Sequence, residues 1–202
     1  MANLITDIPK EVVFKELDKD HQISQNSLKN HMFDDDFDNI QLLEKIQKLR
    51  VSDNSILFYP GSGADIIFPC LFVEHLFPEI KEITFHFMDI HNCLLLMNSI
   101  LHDLGISIDS HNSFYWNGIL IHVKFDVANV FQIDLPKHDI YFERAFRIMK
   151  DSDPNYENKV FDSLNQGGVL ISDSGFQKLD LERIDVPSEL SSYKEMIIGK
   201  KC

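Results

Sequence analysis

A glycine turn and two aspartates are the residues of this chain whose types and spacing could do chemistry. The apolar run Ile56-Leu57-Phe58-Tyr59 stops at Pro60-Gly61-Ser62-Gly63, and a second apolar stretch starts behind Asp65. That order reads as strand, glycine turn, helix. Glycine lets the backbone turn sharply and come close to a ligand, and the free N–H groups of a helix start then face that ligand. Two further apolar runs each close with an acid, residues 83–88 with Asp89 and residues 119–125 with Asp126. In α/β sheets ligands bind beyond the carboxyl ends of the strands. One acid placed there can accept hydrogen bonds from ribose hydroxyls, and a second can accept one from an adenine amino group. Either aspartate alone reads equally well as a strand-end turn residue or a helix cap. Both, in register with the glycine turn, point to a nucleotide-like ligand.

The elements that must hold these residues follow from periodicity. Strands are expected over 56–59, 83–88, 119–125, 138–142 and 169–172, and two more over 179–186 and 193–199. Helices are expected over 66–77, with Pro69 tolerated in the first turn, and over 92–104, closed by Gly105. A third starts at Asp153-Pro154 and runs to about 164. Asn117-Gly118, between an aromatic run and a β-branched one, predicts a hairpin that gives the 119–125 strand an antiparallel partner. Alternation of strands and helices predicts an α/β, doubly wound, mostly parallel seven-stranded sheet with a terminal antiparallel hairpin, plus an N-terminal helical segment. Residues 1–50 read as a helical extension or cap, and residues 51–202 as the main domain. In the extension Phe33, Phe37, Ile40, Leu43, Ile46 and Leu49 follow helical spacing, with acids in front and Lys45, Lys48 and Arg50 behind. Phe58, Phe68, Phe72, Phe77 and Phe85 read as core.

Composition narrows the partners. The net charge is −13, from 19 basic and 32 acidic residues, and no basic stripe is present. Nucleic acid is therefore not expected as a partner. The three cysteines, Cys70, Cys93 and Cys202, form neither a metal spacing nor a disulfide framework, which fits a reducing cytoplasm. The first residues lack the pattern of a secretory leader, and no run suits a membrane span. No metal is expected. The acids Asp34, Asp35, Asp36 and Asp38 lack the glycine and distal glutamate of a calcium loop, and His91 and His102 stand roughly 16 Å apart on their helix. His86 is read as packed within the sheet.

Four segments together resemble the class I S-adenosylmethionine-dependent methyltransferases, over about residues 52–200. They are ILFYPGSGAD, similar to the family's glycine-rich first motif; the strand-end acid in FHFMDIH; the acid, Leu-Pro link and following Asp in VKFDVANVFQIDLPKHDIYF; and the Gly-Gly turn in LNQGGVLISD. The resemblance implies S-adenosylmethionine as cofactor. Gly61 and Gly63 would pass under its methionine part, with Pro60 and Ser62 lining the turn. Asp89 would hold the ribose hydroxyls and Ile90 would pack on the adenine. Asp126 would meet the adenine amino group, with Val127 beside the ring, and Glu143 would lie near the transferred methyl. Tyr59 stands where many members carry an acid, and Asp65 where the third glycine of the motif belongs. Asp65 either contacts the cofactor or caps the helix. Asp139 is expected to be structural.

The function expected from this resemblance is methyl transfer to a small molecule or a protein side chain. Methyl transfer from a sulfonium is an in-line displacement that needs alignment and a dry site, and a base only where the nucleophile arrives protonated. No catalytic motif is therefore required. Arg144 could bind a substrate carboxylate or join a surface ion-pair network with Glu143. The alternatives are a catalytically silent binding protein of the same fold, and a pure interaction module.

Overall fold

The structure is a computed structural model that describes residues 13–176, 179–191 and 194–202. The expected lack of a secretory leader falls on residues outside this description, as does Tyr193. The chain opens with two short helices, α1 (Gln25–Lys29) and α2 (Asp34–Asn39), and a 3-10 turn over Ile40–Lys45. There follow β1 (Ser55–Pro60), α3 (Ile67–Leu76), β2 (Glu82–Asp89), α4 (Leu94–Asp103), β3 (Ser113–Trp116), β4 (Ile119–Val127) and β5 (His138–Glu143). The last part holds α5 (Arg147–Asp151), α6 (Tyr156–Ser163), β6 (Leu164–Ser172), β7 (Leu181–Ile184) and β8 (Ile197–Lys201).

The sheet has eight strands in the order β3-β4-β2-β1-β5-β6-β8-β7. The expected count of seven is corrected by β3, which makes the hairpin that Asn117-Gly118 announces. Asn117 has φ 44° and Gly118 φ 86°, the positive pair that a two-residue hairpin turn needs. β4, β2, β1, β5 and β6 run parallel, and β8 is reversed between β6 and β7. The chain moves outward from β1 through β2 to β4, then jumps back to β5. The strand order thus reverses between β1 and β5, and sheets of this kind bind ligands beyond the carboxyl ends at such a reversal.

β1 reads as apolar throughout because both its faces are covered. One face carries Leu57 and Tyr59, with Phe85, Phe87, Ile121, Ile140, Phe142 and Ile171 beside them. It packs on Cys70, Phe72, Val73 and Leu76 of α3, and on Met97 and Leu101 of α4. Leu28, Leu43, Ile46 and Leu49 of the N-terminal part belong to this same core. The other face carries Phe58, Met88, Tyr141 and Leu170 under Tyr156 and Val160 of α6.

The continuous helix suggested by the 33–49 spacing does not form. α2 ends at Asn39, the 3-10 turn ends at Lys45, and Ile46 is extended at ψ 141°. The apolar side chains still reach the core, because a helical spacing is also met by short turns separated by a kink. The third expected helix starts at Tyr156, two residues beyond Pro154, and Asp153 Oδ1 accepts from Asn155 N at 2.9 Å. At the lower edge Asp139 ties three strands. Its carboxylate accepts from Ile56 N at 2.9 Å and from Asn165 Nδ2 at 2.8 Å. Gly168 lies against that junction, and a Cβ there would stand 2.8 Å from the Asn165 carbonyl and 2.9 Å from that of Asp139.

Candidate functional site

The glycine turn leaves β1 at the reversal point. Gly61 extends the sheet by donating its N–H to the Met88 carbonyl at 2.7 Å, and its φ of +60° lies in the region that favours glycine. Asp89, ending the neighbouring β2, is bonded into the turn. Its Oδ2 accepts from Gly63 N at 3.0 Å and its Oδ1 from His91 N at 3.1 Å. A carboxylate has about two acceptor positions on each oxygen, so each oxygen keeps one for a further donor. Asp89 is held rigid and remains able to receive a pair of hydroxyls.

Ile90 and Val127 are 60% and 56% exposed. Val127 pairs with Asp89 across β2 and β4, so the two apolar side chains flank the ends of adjacent strands. Ser62 is buried, and Pro60 closes β1 in register with Met88.

Asp126 behaves differently from Asp89. It lies on the sheet face rather than in the turn, where Oδ2 accepts from His86 Nε2 at 2.7 Å and from Lys124 Nζ at 3.0 Å. The Lys124 bond, with help from His86, holds its carboxyl below the usual range, and burial pulls His86 down. His86 is thus packed in the sheet, as read from the sequence, and carries a partner that period-two inspection along its own strand does not reveal.

Tyr59 and Asp65 meet. The Tyr59 hydroxyl donates to Asp65 Oδ2 at 2.9 Å, and Asp65 Oδ1 accepts from Phe68 N at 3.2 Å at the head of α3. Of the two roles considered for Asp65, the helix-capping one is present. Burial pushes the carboxyl of Asp65 up, against the opposing pull of Arg144.

Glu143 does not open to the surface. It is fully buried. Oε1 accepts from Ser172 Oγ at 2.6 Å, Ser174 Oγ at 2.7 Å and Lys150 Nζ at 2.7 Å, and Oε2 accepts from Tyr141 OH at 2.6 Å. Lys150 also donates to the Gly175 carbonyl and sits 4.1 Å from the centre of the Phe176 ring. Arg144 joins an ion-pair network. It donates to Asp36 Oδ1 at 3.1 Å, lies 4.0 Å from Asp173, and covers the Phe68 ring at 3.2 Å. Asp173 is pushed up to about 6 by burial, although it accepts from Ala145 N.

The structure therefore places Pro60, Gly61, Ser62, Gly63, Asp89, Ile90 and Val127 at the carboxyl ends of β1, β2 and β4 and in the turns just after them. Asp65 and Tyr59 pair with each other, Asp126 turns onto the sheet face, and Glu143 is enclosed. Sequence reasoning missed Phe146, whose ring lies on Gly61, and Lys150 and Asp173. Asp173 closes the quoted LNQGGVLISD segment, but no local signal marks Phe146 or Lys150. Among the described residues no cluster of three or more His, Cys, Asp or Glu could hold a metal ion, and no helix is long and apolar enough to cross a membrane.

No family model and no curated protein matches the chain. Solved structures do. An O-methyltransferase family 2 protein from Planctomyces limnophilus, solved with apigenin, aligns with a TM-score of 0.51 at 10% identity, over 89% of this chain and 62% of its own. A SAM-dependent methyltransferase from Thiobacillus denitrificans, solved with S-adenosyl-L-homocysteine, gives 0.42 at 15% identity over 67% of this chain. The S-adenosylmethionine-dependent methyltransferase SibL gives 0.45 at 11% identity over 73%. The chain spans 62%, 47% and 50% of the length of these three, respectively. With its reversed β8 inside the sheet edge and its strand-order reversal between β1 and β5, the chain has the fold of the class I S-adenosylmethionine-dependent methyltransferases.

Proposed function

We propose that this chain binds S-adenosylmethionine at the carboxyl ends of β1, β2 and β4 and transfers its methyl group to a small molecule or a protein side chain. The observation that carries the reading is Asp89. It is fixed by Gly63 and His91 backbone N–H groups, and each oxygen keeps an acceptor position for a further donor. Two such positions would suit the hydroxyl pair of a ribose. Ile90 and Val127 would sandwich the adenine edge, and Gly61 and Gly63 would underlie the methionine part.

The cofactor would supply an electrophilic methyl on a sulfonium. The chain's own part is to bind, to align and to exclude water. Asp89 would hold the ribose, and the N-terminal segment, residues 1–50, would cover the substrate mouth as a cap on the 51–202 domain. The Asp36–Arg144 bond supports that placement, since it links α2 to the residue just past β5. A cytoplasmic location fits the cysteine usage, and nucleic acid is disfavoured by the charge.

Calorimetric titration with S-adenosylmethionine and S-adenosylhomocysteine tests the reading. Asp89→Ala should weaken binding about 10- to 100-fold, the loss of charged hydrogen bonds worth about 1.5–3 kcal/mol. No heat at millimolar ligand for the wild type sinks the proposal. A second reading, a catalytically silent binder of the same fold, is favoured by the enclosure of Glu143. Transfer of a tritiated methyl group to candidate acceptors separates the two.

A further inference from the structure

Phe146 lies three residues beyond β5, and its ring rests directly on Gly61. A Cβ built on that glycine would stand 2.6 Å from ring Cδ2, and nearer still to Cε2. The ring is held from behind. It is 5% exposed, stacks on Phe131 with centroids 6.0 Å apart and planes 7° apart, and leans on Tyr156 at 5.7 Å. The backbone before it is pinned as well. Ala145 takes φ +53°, a left-handed value that a residue with a Cβ adopts only under constraint. Its N–H donates to both oxygens of Asp173, at 2.9 and 3.0 Å. Arg144 is clamped between Asp36 and the Phe68 ring.

The consequence concerns the extent of the ligand, and it rests on the cofactor reading above. Gly61 is then the floor beneath the methionine part; it stays exposed overall, and the ring fills the side on which a Cβ would stand, so an amino-acid chain cannot lie on that side while the ring is there. We infer that Phe146 is a specificity-determining residue of the site. Seated on Gly61, it admits an adenine nucleoside with a short 5′ substituent and excludes the amino-acid tail. Swung away from Gly61, it admits the complete cofactor. Departure of the ring costs its contacts with Phe131 and Tyr156, so long-tailed ligands bind with a penalty that short-tailed ligands escape.

Two ligands that differ only in the tail test this: 5′-methylthioadenosine and S-adenosylhomocysteine, titrated calorimetrically against wild type and Phe146→Ala. The wild type should favour 5′-methylthioadenosine. Phe146→Ala should bind S-adenosylhomocysteine about tenfold more tightly and 5′-methylthioadenosine within about twofold of wild type, a shift of about 1.4 kcal/mol confined to the tailed ligand. Phe146→Leu, which keeps an apolar side chain under Phe131, should move the same way by less, and serves if circular dichroism finds the alanine variant unfolded. If S-adenosylhomocysteine binding falls in these variants, or both ligands shift together, Phe146 is a wall of the site and the inference is overturned. Absence of binding of either ligand to every protein overturns the cofactor reading itself, and the inference with it.

Discussion

At the scale of single residues, position in a motif and role in the fold come apart. Asp89 and Asp126 look alike in the sequence, each an acid closing an apolar run. The strand-end place of Asp89 was legible from the apolar run it closes, and its bond to the Gly63 N–H was not. The His86 contact of Asp126 was not legible either, because His86 reaches it from β2 in a register that only the sheet defines, whereas Lys124 stands two residues before it on the same face of β4. Glycines divide in the same way. Gly63 has φ +53° and open space where a Cβ would stand, whereas Gly168 is enclosed by two carbonyls and the Leu164 side chain. Gly63→Ala should therefore cost about 1–2 kcal/mol, from backbone strain alone. Gly168→Ala should cost more, about 2–3 kcal/mol, because the β5–β6 junction must move. Urea unfolding of the two variants decides the order, and equal midpoints would contradict the geometry.

At the scale of elements, the strands were readable and the N-terminal helices were not. β1, β2 and β5 are largely apolar runs of strand length bounded by turn residues, and burial on both faces leaves them few alternatives, whereas β4 alternates and keeps one face open. The spacing of Phe33, Phe37, Ile40, Leu43, Ile46 and Leu49 instead reports which side chains face inward, and a kinked series of short turns satisfies it as well as one helix. A second hidden feature is the bond between α5 and β5. Lys150 and Glu143 are 4% and 0% exposed as side chains and lie 2.7 Å apart, which no sequence period announces. Lys150→Met should leave Glu143 enclosed among hydroxyls without its cation and cost about 3–5 kcal/mol. Adding Glu143→Gln should recover part of that loss, since the buried charge disappears. A double variant less stable than Lys150→Met alone would show that the hydroxyl donors, rather than the ion pair, hold this junction.

At the scale of the whole molecule, two buried groups set opposing responses to acid. His138 is enclosed, with Nδ1 bonded to the Pro136 carbonyl at 2.8 Å and Nε2 without a partner among the described residues. Burial lowers it from 6.5 to about 4. As pH falls from about 6.5 toward 4, the unfolded chain takes up a proton that the folded chain refuses, so stability present at neutral pH is lost. Asp173 runs the other way. Burial raises it from 3.8 to about 6, so between those values the folded chain keeps a proton that the unfolded chain has released. Stability then falls as pH rises through that window. Each effect is on the order of 2–3 kcal/mol, and across pH 4 to 6 they offset each other. Removing one exposes the other. Relative to wild type, Asp173→Asn should gain stability by about 2 kcal/mol as pH rises from 4 to 6.5, and His138→Gln should gain by a similar amount as pH falls over the same range. Chemical unfolding at several pH values gives both differences. The Asp173 carboxylate also receives the Ala145 N–H that holds the Phe146 connection, so its ionisation bears on that connection as well as on the core. Curves for the two variants that run parallel to wild type would mean that neither group is buried as the packing around β5 and β6 requires.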